Sequence, residues 1–245
     1  MRNLKKSFIS LALAGVAIAS QAATVEVKFA NPIFQGTGSV GAHITYPGGS
    51  ASVAAGRFQG AAHDWVGVSS DVFVDDPSHV FMYCYDLDEH INSNWDVKYD
   101  IQFDGVTART LDFLGAVNSV LSASTDPFAW LHPANRFQSA AIQIGIWESL
   151  YDTGANGWSI TGGLFTASLD ITTSGQLTSF FNAIGSSDAL GSDYTMLLTA
   201  TGAQDMITGR PGPQPATDIP EPGSLALIGL ALVGLATSRR LRKPV

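Results

Sequence analysis

The sequence predicts an α+β protein: a β-rich sandwich or barrel with a helical insertion, flanked by a signal peptide and a C-terminal hydrophobic helix. Three observations predict this architecture. Short segments within residues 24–104 alternate apolar and polar side chains with the period of two that a half-buried strand requires. Residues 107–153 change to helical spacing, and each end of the chain carries an uncharged apolar segment beside basic residues.

Residues 1–22 have the three parts of a secretory signal peptide. Arg2, Lys5 and Lys6 precede an apolar run over residues 8–19, and Ser20-Gln21-Ala22 places small residues at the two positions that signal peptidase reads. We therefore expect export through the inner membrane, with signal peptidase cleaving after Ala22 or one residue later.

Six short strands are predicted in the segment that follows. In the first, Val25, Val27 and Phe29 alternate with Glu26 and Lys28, so that the apolar side chains share one face. Turn-forming residues separate the segments. The predicted strands are Thr24–Ala30, Gly38–Tyr46, Ser52–Phe58, Trp65–Val74, His79–Asp86 and Val97–Phe103. Strands of this length and spacing are typical of a sandwich or barrel.

Three helices and a further strand are predicted after these strands. The helices are Thr107–Ser122, a second one that Pro133-Ala134-Asn135 opens and Gly154 closes, and Gly175–Ile184. The strand is Tyr194–Thr201. Residues 23–208 are thus predicted to form one globular domain, β-rich over 24–104, helical over 107–153 and mixed over 158–202, before a proline-containing linker at 209–219.

The C-terminal residues 220–245 combine three features. Pro220-Glu221-Pro222 precedes an uncharged apolar stretch over 224–238, and the basic residues that follow are Arg239, Arg240, Arg242 and Lys243. As a helix, this stretch is about 22 Å long, shorter than the roughly 30 Å hydrocarbon core of a bilayer. We predict a transmembrane helix that crosses only a thinned membrane or crosses temporarily, with the basic cluster as the cytoplasmic stop.

This tail resembles the PEP-CTERM sorting signal of Gram-negative bacteria, in which the same three parts occur in the same order. The resemblance implies recognition and cleavage by an exosortase-type membrane protease. It also implies a protein of the cell surface or extracellular matrix, in species that make exopolysaccharide and biofilm. A plain tail anchor is the alternative, but an anchor does not require Pro220-Glu221-Pro222.

The charge of the part between the two ends excludes one class of function. Of 13 Lys and Arg, seven lie in the signal and the tail, whereas all 21 Asp and Glu lie between Glu26 and Glu221. The exported part therefore carries six basic residues and a formal net charge of −15. Because phosphate neutralisation needs surplus Lys and Arg, we expect no binding to nucleic acid.

Cys84 is the one cysteine in the chain, so it cannot form an internal disulfide. A buried inert thiol, an intermolecular disulfide and a reactive centre are all compatible with its position at a strand end between Tyr83 and Tyr85. In the second predicted helix, Gln143 lies among apolar residues one turn from Trp147. A glutamine in such a run either pairs both ends of its carboxamide or serves a reaction.

Tyr83-Cys84-Tyr85-Asp86 and the helical segment Ile142-Gln143-Ile144-Gly145-Ile146-Trp147 together resemble the paired motifs of bacterial thioester adhesin domains. The resemblance implies an acyl thioester between the Cys84 sulfur and the Gln143 side chain, with Tyr83, Tyr85 and Trp147 shielding it from water. A surface target that bears an amine or a hydroxyl would then take the acyl group and stay covalently attached.

Other constellations give weaker predictions. Asp86, Asp88 and Glu89, with Asp75 and Asp76, lack the EF-hand spacing and indicate a solvated acidic loop. The five histidines have no zinc spacing, and no hydrolase elbow, phosphate loop or dinucleotide fingerprint occurs. We therefore predict no metal, no cofactor, no catalytic residues and no enzymatic activity. The alternative functions are a non-covalent module that binds exopolysaccharide in a biofilm matrix, and a secreted hydrolase with two facing carboxylates.

Overall fold

The structure is a computed structural model that describes residues 22–122, 126–152, 154 and 157–212. The chain divides into a compact unit that ends at Arg210 and a second unit from Pro211 onwards. Among the residues that the structure describes, no helix has both the length and the apolar composition to cross a bilayer. The predicted transmembrane helix at 224–238, the sorting motif, the basic stop and residues 1–21 lie outside the described residues.

Nine strands and three helices make up the described unit. The strands are β1 (Thr24–Phe29), β2 (Ser39–Tyr46), β3 (Gly49–Gly56), β4 (Phe58–Val66), β5 (Val80–Cys84), β6 (Asp96–Gln102), β7 (Thr166–Ser168), β8 (Thr195–Thr199) and β9 (Met206–Gly209). The helices are α1 (Ala108–Leu121), α2 (Arg136–Tyr151) and α3 (Ile171–Ala183). The β-rich α+β class predicted from the sequence is confirmed.

Six of the strands close into a barrel in the order β1-β4-β5-β9-β8-β6, and every pair is antiparallel. The alternation of apolar and polar residues in β1 fits its place in the barrel, where one face of the strand is buried. Val25, Val27 and Phe29 are buried, whereas Lys28 is exposed. Gly60 of β4 is required for close packing, because a Cβ at this position would lie 2.6 Å from the Val27 side chain.

The other three strands form a small sheet in the order β3-β2-β7. β2 and β3 pair as a hairpin over their whole length, from Ser39 opposite Gly56 to Tyr46 opposite Gly49. Both strands contact α2, so this hairpin covers one side of the helix.

The three helices pack against one another, and each begins at a side-chain cap. Thr107 accepts a hydrogen bond from the Thr110 N–H, Asn135 from the first turn of α2, and Asp170 from the first turn of α3. Helix α2 is buried on nearly all sides, because the other helices and the β2–β3 hairpin surround it. Its polar residues Gln143 and Glu148 are therefore buried as well.

Several predicted elements differ from the structure. The predicted strand Trp65–Val74 is wrong: β4 ends at Val66, Gly67 adopts a φ of 71°, and Ser70–Val72 is a 3-10 turn. Helix α3 starts before the predicted Gly175, because the Asp170 cap precedes it. β4 was not predicted as a strand either, because residues 59–64 fall between two predicted strands. β7 and β9 were not predicted, since strands of three and four residues are too short to show a period.

Candidate functional site

Cys84 is the last residue of β5 and is 1% exposed. β5 pairs with β4 only as far as Met82, so the backbone of Cys84 lies beyond the last pair on that side. On the other side, β5 pairs with β9, with Cys84 opposite Met206. The residue that carries the thiol therefore lies where one edge of the strand has lost its neighbour.

Gln143 of α2 supplies the missing hydrogen bonds at this edge. Its Oε1 accepts from the Cys84 N–H at 2.9 Å, and its Nε2 donates to the Cys84 carbonyl at 2.9 Å. Both residues are buried. The structure thus brings together the cysteine and the glutamine that the sequence pairs, but through the backbone of Cys84. Both ends of the Gln143 carboxamide are satisfied there.

The sulfur of Cys84 contacts a different glutamine. Its Sγ–H donates to Oε1 of Gln204 at 3.0 Å. Gln204 lies in the connection between β8 and β9, two residues before Met206. Its Nε2 donates to the Asp86 carbonyl at 3.4 Å, and its own carbonyl accepts from the Tyr99 hydroxyl at 3.1 Å. The carboxamide therefore turns its oxygen towards the sulfur and its nitrogen away.

Gln204 is a residue of this site that was not predicted from the sequence. The signal available in the sequence is a second glutamine beside apolar residues, Ala203-Gln204-Asp205-Met206-Ile207. Because the strand that follows has only four residues, the sequence does not place this segment beside Cys84.

A cavity of about 270 Å³ adjoins Cys84 and Gln204. Its wall is largely apolar, and Glu89 and His90 are the charged or titratable side chains on it besides Cys84 and Tyr46. Six of the apolar lining residues are Ile33, Phe34, Phe58, Leu87, Ile91 and Trp147. Apolar pockets that carry a few convergent polar groups are the usual form of a small-ligand site.

The three predicted shielding residues occupy different places. Trp147 lines the cavity, and its indole N–H is buried without a hydrogen-bond partner in the described part of the chain. Tyr83 donates to the Trp130 carbonyl at 3.2 Å, and the Tyr85 hydroxyl accepts from the Thr107 N–H at 2.9 Å and lies 3.3 Å from the Thr110 hydroxyl. Neither tyrosine lines the cavity. Successive side chains of a strand point to opposite faces, which places the two neighbours of Cys84 away from its sulfur.

Electrostatics keep the thiol neutral. Burial raises the pKa of Cys84 well above its usual range, and the nearby carboxylate of Asp86 adds to the effect. Burial also raises the pKa of Asp86 to about 6, although the backbone N–H groups of Asp205 and Glu89 donate to its carboxylate. A protonated Sγ suits the hydrogen bond to Gln204, and any reaction at this sulfur must move its proton.

The predicted acidic loop separates into different environments. Asp75 lies 3.4 Å from His132, and Asp76 accepts from the Ser78 N–H at 2.8 Å. Asp86 and Glu89 approach Asp205 so that one carboxylate oxygen from each lies within 4.8 Å of the others. Another group is formed by Glu26, His63 and Asp96. One possible ligand atom from each of these side chains also lies within 4.8 Å of the other two.

The comparisons with known proteins bear on the C-terminal tail. Residues 218–240 match the PEP-CTERM protein-sorting motif. A motif of this kind implies processing by an exosortase, which is a membrane protein, and export to the cell envelope or surface of a Gram-negative bacterium. No curated protein and no solved structure shows significant similarity to the chain.

Proposed function

We propose that this exported protein attaches covalently to a target through an internal thioester between the Cys84 sulfur and the side chain of Gln204. The observation that carries the proposal is the 3.0 Å contact between Cys84 Sγ and Gln204 Oε1 inside a largely apolar cavity. The two residues are 120 positions apart in the chain.

The reaction has two steps. First, the sulfur attacks the side-chain carbonyl carbon of Gln204; a C–S bond forms, the C–N bond breaks, and the nitrogen leaves as ammonia with the thiol proton. Second, an amine or hydroxyl of the target attacks the same carbon. Its proton passes to the sulfur, the C–S bond breaks, and the target stays bound to Gln204 through an amide or ester.

Proximity lowers the barrier to a reaction that an amide and a thiol do not undergo in water. Holding two reacting groups in contact contributes as much as roughly 7–11 kcal/mol towards the barrier when the geometry is right. Cys84 is held by β9 on one side and by Gln143 on the other, and Gln204 is held by Asp86 and Tyr99. The apolar residues on the cavity wall would limit the contact of the product with water.

Gln143, which the sequence predicts as the acyl partner, is assigned a positioning role in this proposal. Before it could react, its carboxamide would have to release two hydrogen bonds to the Cys84 backbone. Each buried backbone group left unpaired would cost about 1–3 kcal/mol. Gln204 has a single hydrogen bond of this kind to lose, the long one of 3.4 Å from its Nε2 to the Asp86 carbonyl, and its oxygen already accepts from the sulfur.

Intact-mass measurement of the exported chain tests the proposal. We expect the wild-type protein to be lighter by one ammonia than its sequence requires, and Cys84→Ala and Gln204→Ala to have their full masses. Methylamine should add to wild-type protein alone, with the label on Gln204 after digestion. A wild-type protein at full mass, with an alkylatable Cys84 after unfolding, would falsify the thioester. A label on residue 143 would return the acyl role to the predicted glutamine.

We propose non-covalent binding of a neutral polysaccharide as the second candidate function. A separate groove of about 460 Å³ between the segment 158–169 and α3 has no charged lining residue in the described part of the chain. Ser168, Ser174 and Asn182 line it beside Trp158 and Phe181. Hydroxyl and amide groups beside aromatic carbon suit a sugar.

Affinity electrophoresis in gels that contain a neutral polysaccharide tests this second candidate. Retardation of the wild-type protein should be lost in Ser174→Lys, which places a charge in the groove, and kept in Ser50→Lys on the exposed hairpin. If the polysaccharide retards all three proteins equally, or retards none of them, the groove is ruled out as a glycan site.

A further inference from the structure

Asp86 holds the Gln204 segment from two sides. Its backbone carbonyl accepts from Gln204 Nε2 at 3.4 Å, and its carboxylate accepts from the backbone N–H of Asp205. The adjacent Tyr85 N–H donates to the Asp205 carbonyl at 2.7 Å. Because Asp86 follows Cys84 by two residues, these bonds join the strand that carries the sulfur to the segment that carries the amide.

Other hydrogen bonds hold the rest of the connection between β8 and β9. Asp205 accepts from the Ala200 N–H at 3.0 Å, and Glu89 accepts from the Gly202 N–H at 2.8 Å. The Glu89 N–H donates in turn to the Asp86 carboxylate at 3.4 Å. The loop is therefore anchored to residues 86–89 through hydrogen bonds to carboxylates, which are stronger than bonds between neutral groups.

We propose that Asp86 is the positioning residue of the thioester reaction, and that its ionised carboxylate keeps the Gln204 carboxamide against the Cys84 sulfur. This inference rests on the proposed thioester. Asp86 does not contact the sulfur itself; it acts on the reaction through the backbone of Asp205 and through its own carbonyl on Gln204 Nε2. Sub-ångström placement of reacting groups has large effects on rate, which gives such a residue its importance.

The ionisation state of Asp86 provides a readout that a purely structural residue would not give. Burial raises its pKa to about 6, and the carboxylates of Asp205 and Glu89 act in the same direction. The titratable groups that interact with it are Cys84, Glu89, Tyr99, Tyr151 and Asp205. Above about pH 6 the carboxylate is a pure acceptor, whereas below it the added proton competes with the Asp205 N–H.

The test compares Asp86→Asn with Asp152→Asn in the full exported chain. Asp152 is a matched control, because it is 4% exposed and also holds a loop by accepting from two backbone N–H groups, those of Gly154 and Leu164. Each protein is refolded from denaturant at several pH values between about 5 and 8, and the loss of ammonia is followed by intact mass against time. Thermal unfolding of the same samples measures stability.

We expect Asp86→Asn to lose ammonia at least about tenfold more slowly than wild type at pH 7.5, the effect of one charge-assisted hydrogen bond. The difference should shrink towards pH 5, where wild-type Asp86 is protonated and therefore neutral like the asparagine of the variant. Asp152→Asn should keep the wild-type rate whatever its stability, and Asp86→Glu should recover part of the rate.

The outcomes separate this inference from the function on which it rests. If the wild-type protein never loses ammonia, the thioester itself is refuted. If it does, but Asp86→Asn follows the wild-type rate and pH profile, Asp86 has no positioning role. If Asp86→Asn and Asp152→Asn slow the reaction equally, the effect is general destabilisation and the inference is overturned.

Discussion

Replacing Gln143 with leucine separates the structural role of this residue from the acyl role that the sequence predicts. Leucine has a similar volume, so the change leaves no large cavity. It removes both hydrogen bonds to Cys84, at 2.9 Å each, and leaves one buried N–H and one buried carbonyl without partners. At about 1–3 kcal/mol for each group, the free energy of unfolding should fall by about 2–6 kcal/mol.

Urea denaturation measures this loss, and the same helix provides the control. Gln138→Leu removes a single, solvent-accessible hydrogen bond to the Ala134 N–H, so it should cost less than about 0.5 kcal/mol. A loss at Gln143 no larger than at Gln138 would refute the backbone-bridging role. The intact mass gives a second answer: Gln143→Leu protein that is folded should still lose ammonia, because the proposed acyl donor is Gln204.

Three further predictions follow from other parts of the chain. Gly145→Ala should destabilise the protein by about 1–3 kcal/mol in urea denaturation, since the new Cβ would lie 2.0 Å from the Phe113 ring. Gly175→Ala in α3 is the control: its Cβ would meet nothing within 4 Å, so this change should be neutral or stabilising. Burial raises the pKa of Glu148 to about 7 from its ordinary 4.5, so its contribution to stability is full below about pH 4.5 and declines as the pH rises through 7. Glu148→Gln should flatten this decline in the free energy of unfolding, and an unchanged slope against pH would contradict the prediction. Deletion of Pro220–Pro222 should abolish C-terminal processing and surface display in the native host, as followed by immunoblot of cell fractions, and unchanged display would remove the sorting role of the motif.

The sequence predicted the elements with a strong period, and it failed where the period was short or absent. β1 and α2 were predicted because each has enough residues to show its spacing. The predicted strand from Trp65 failed because apolar residues continue past Gly67, where the backbone turns. β9 was missed because four buried residues cannot distinguish a strand from any other buried segment.

The candidate site was predictable in part for the same reason. Cys84 stood out because it is the one cysteine, and Gln143 because it is a polar residue in an apolar helix. Which atoms of the two meet could not be predicted, since it depends on where β4 stops pairing with β5. Gln204 could not be assigned at all without the pairing of β5 with β9.

The position of β9 also determines when the proposed bond can form. Cys84 comes from the first half of the chain, Gln143 from the helical insertion, and Gln204 from the residues just before the last strand. The sulfur meets the Gln204 amide only when β9 has paired with β5 and closed the barrel. An unfinished or unfolded chain therefore has a cysteine but no amide held beside it. The reaction that we propose is thus a consequence of complete folding, and a variant that folds without β9 should have a free thiol.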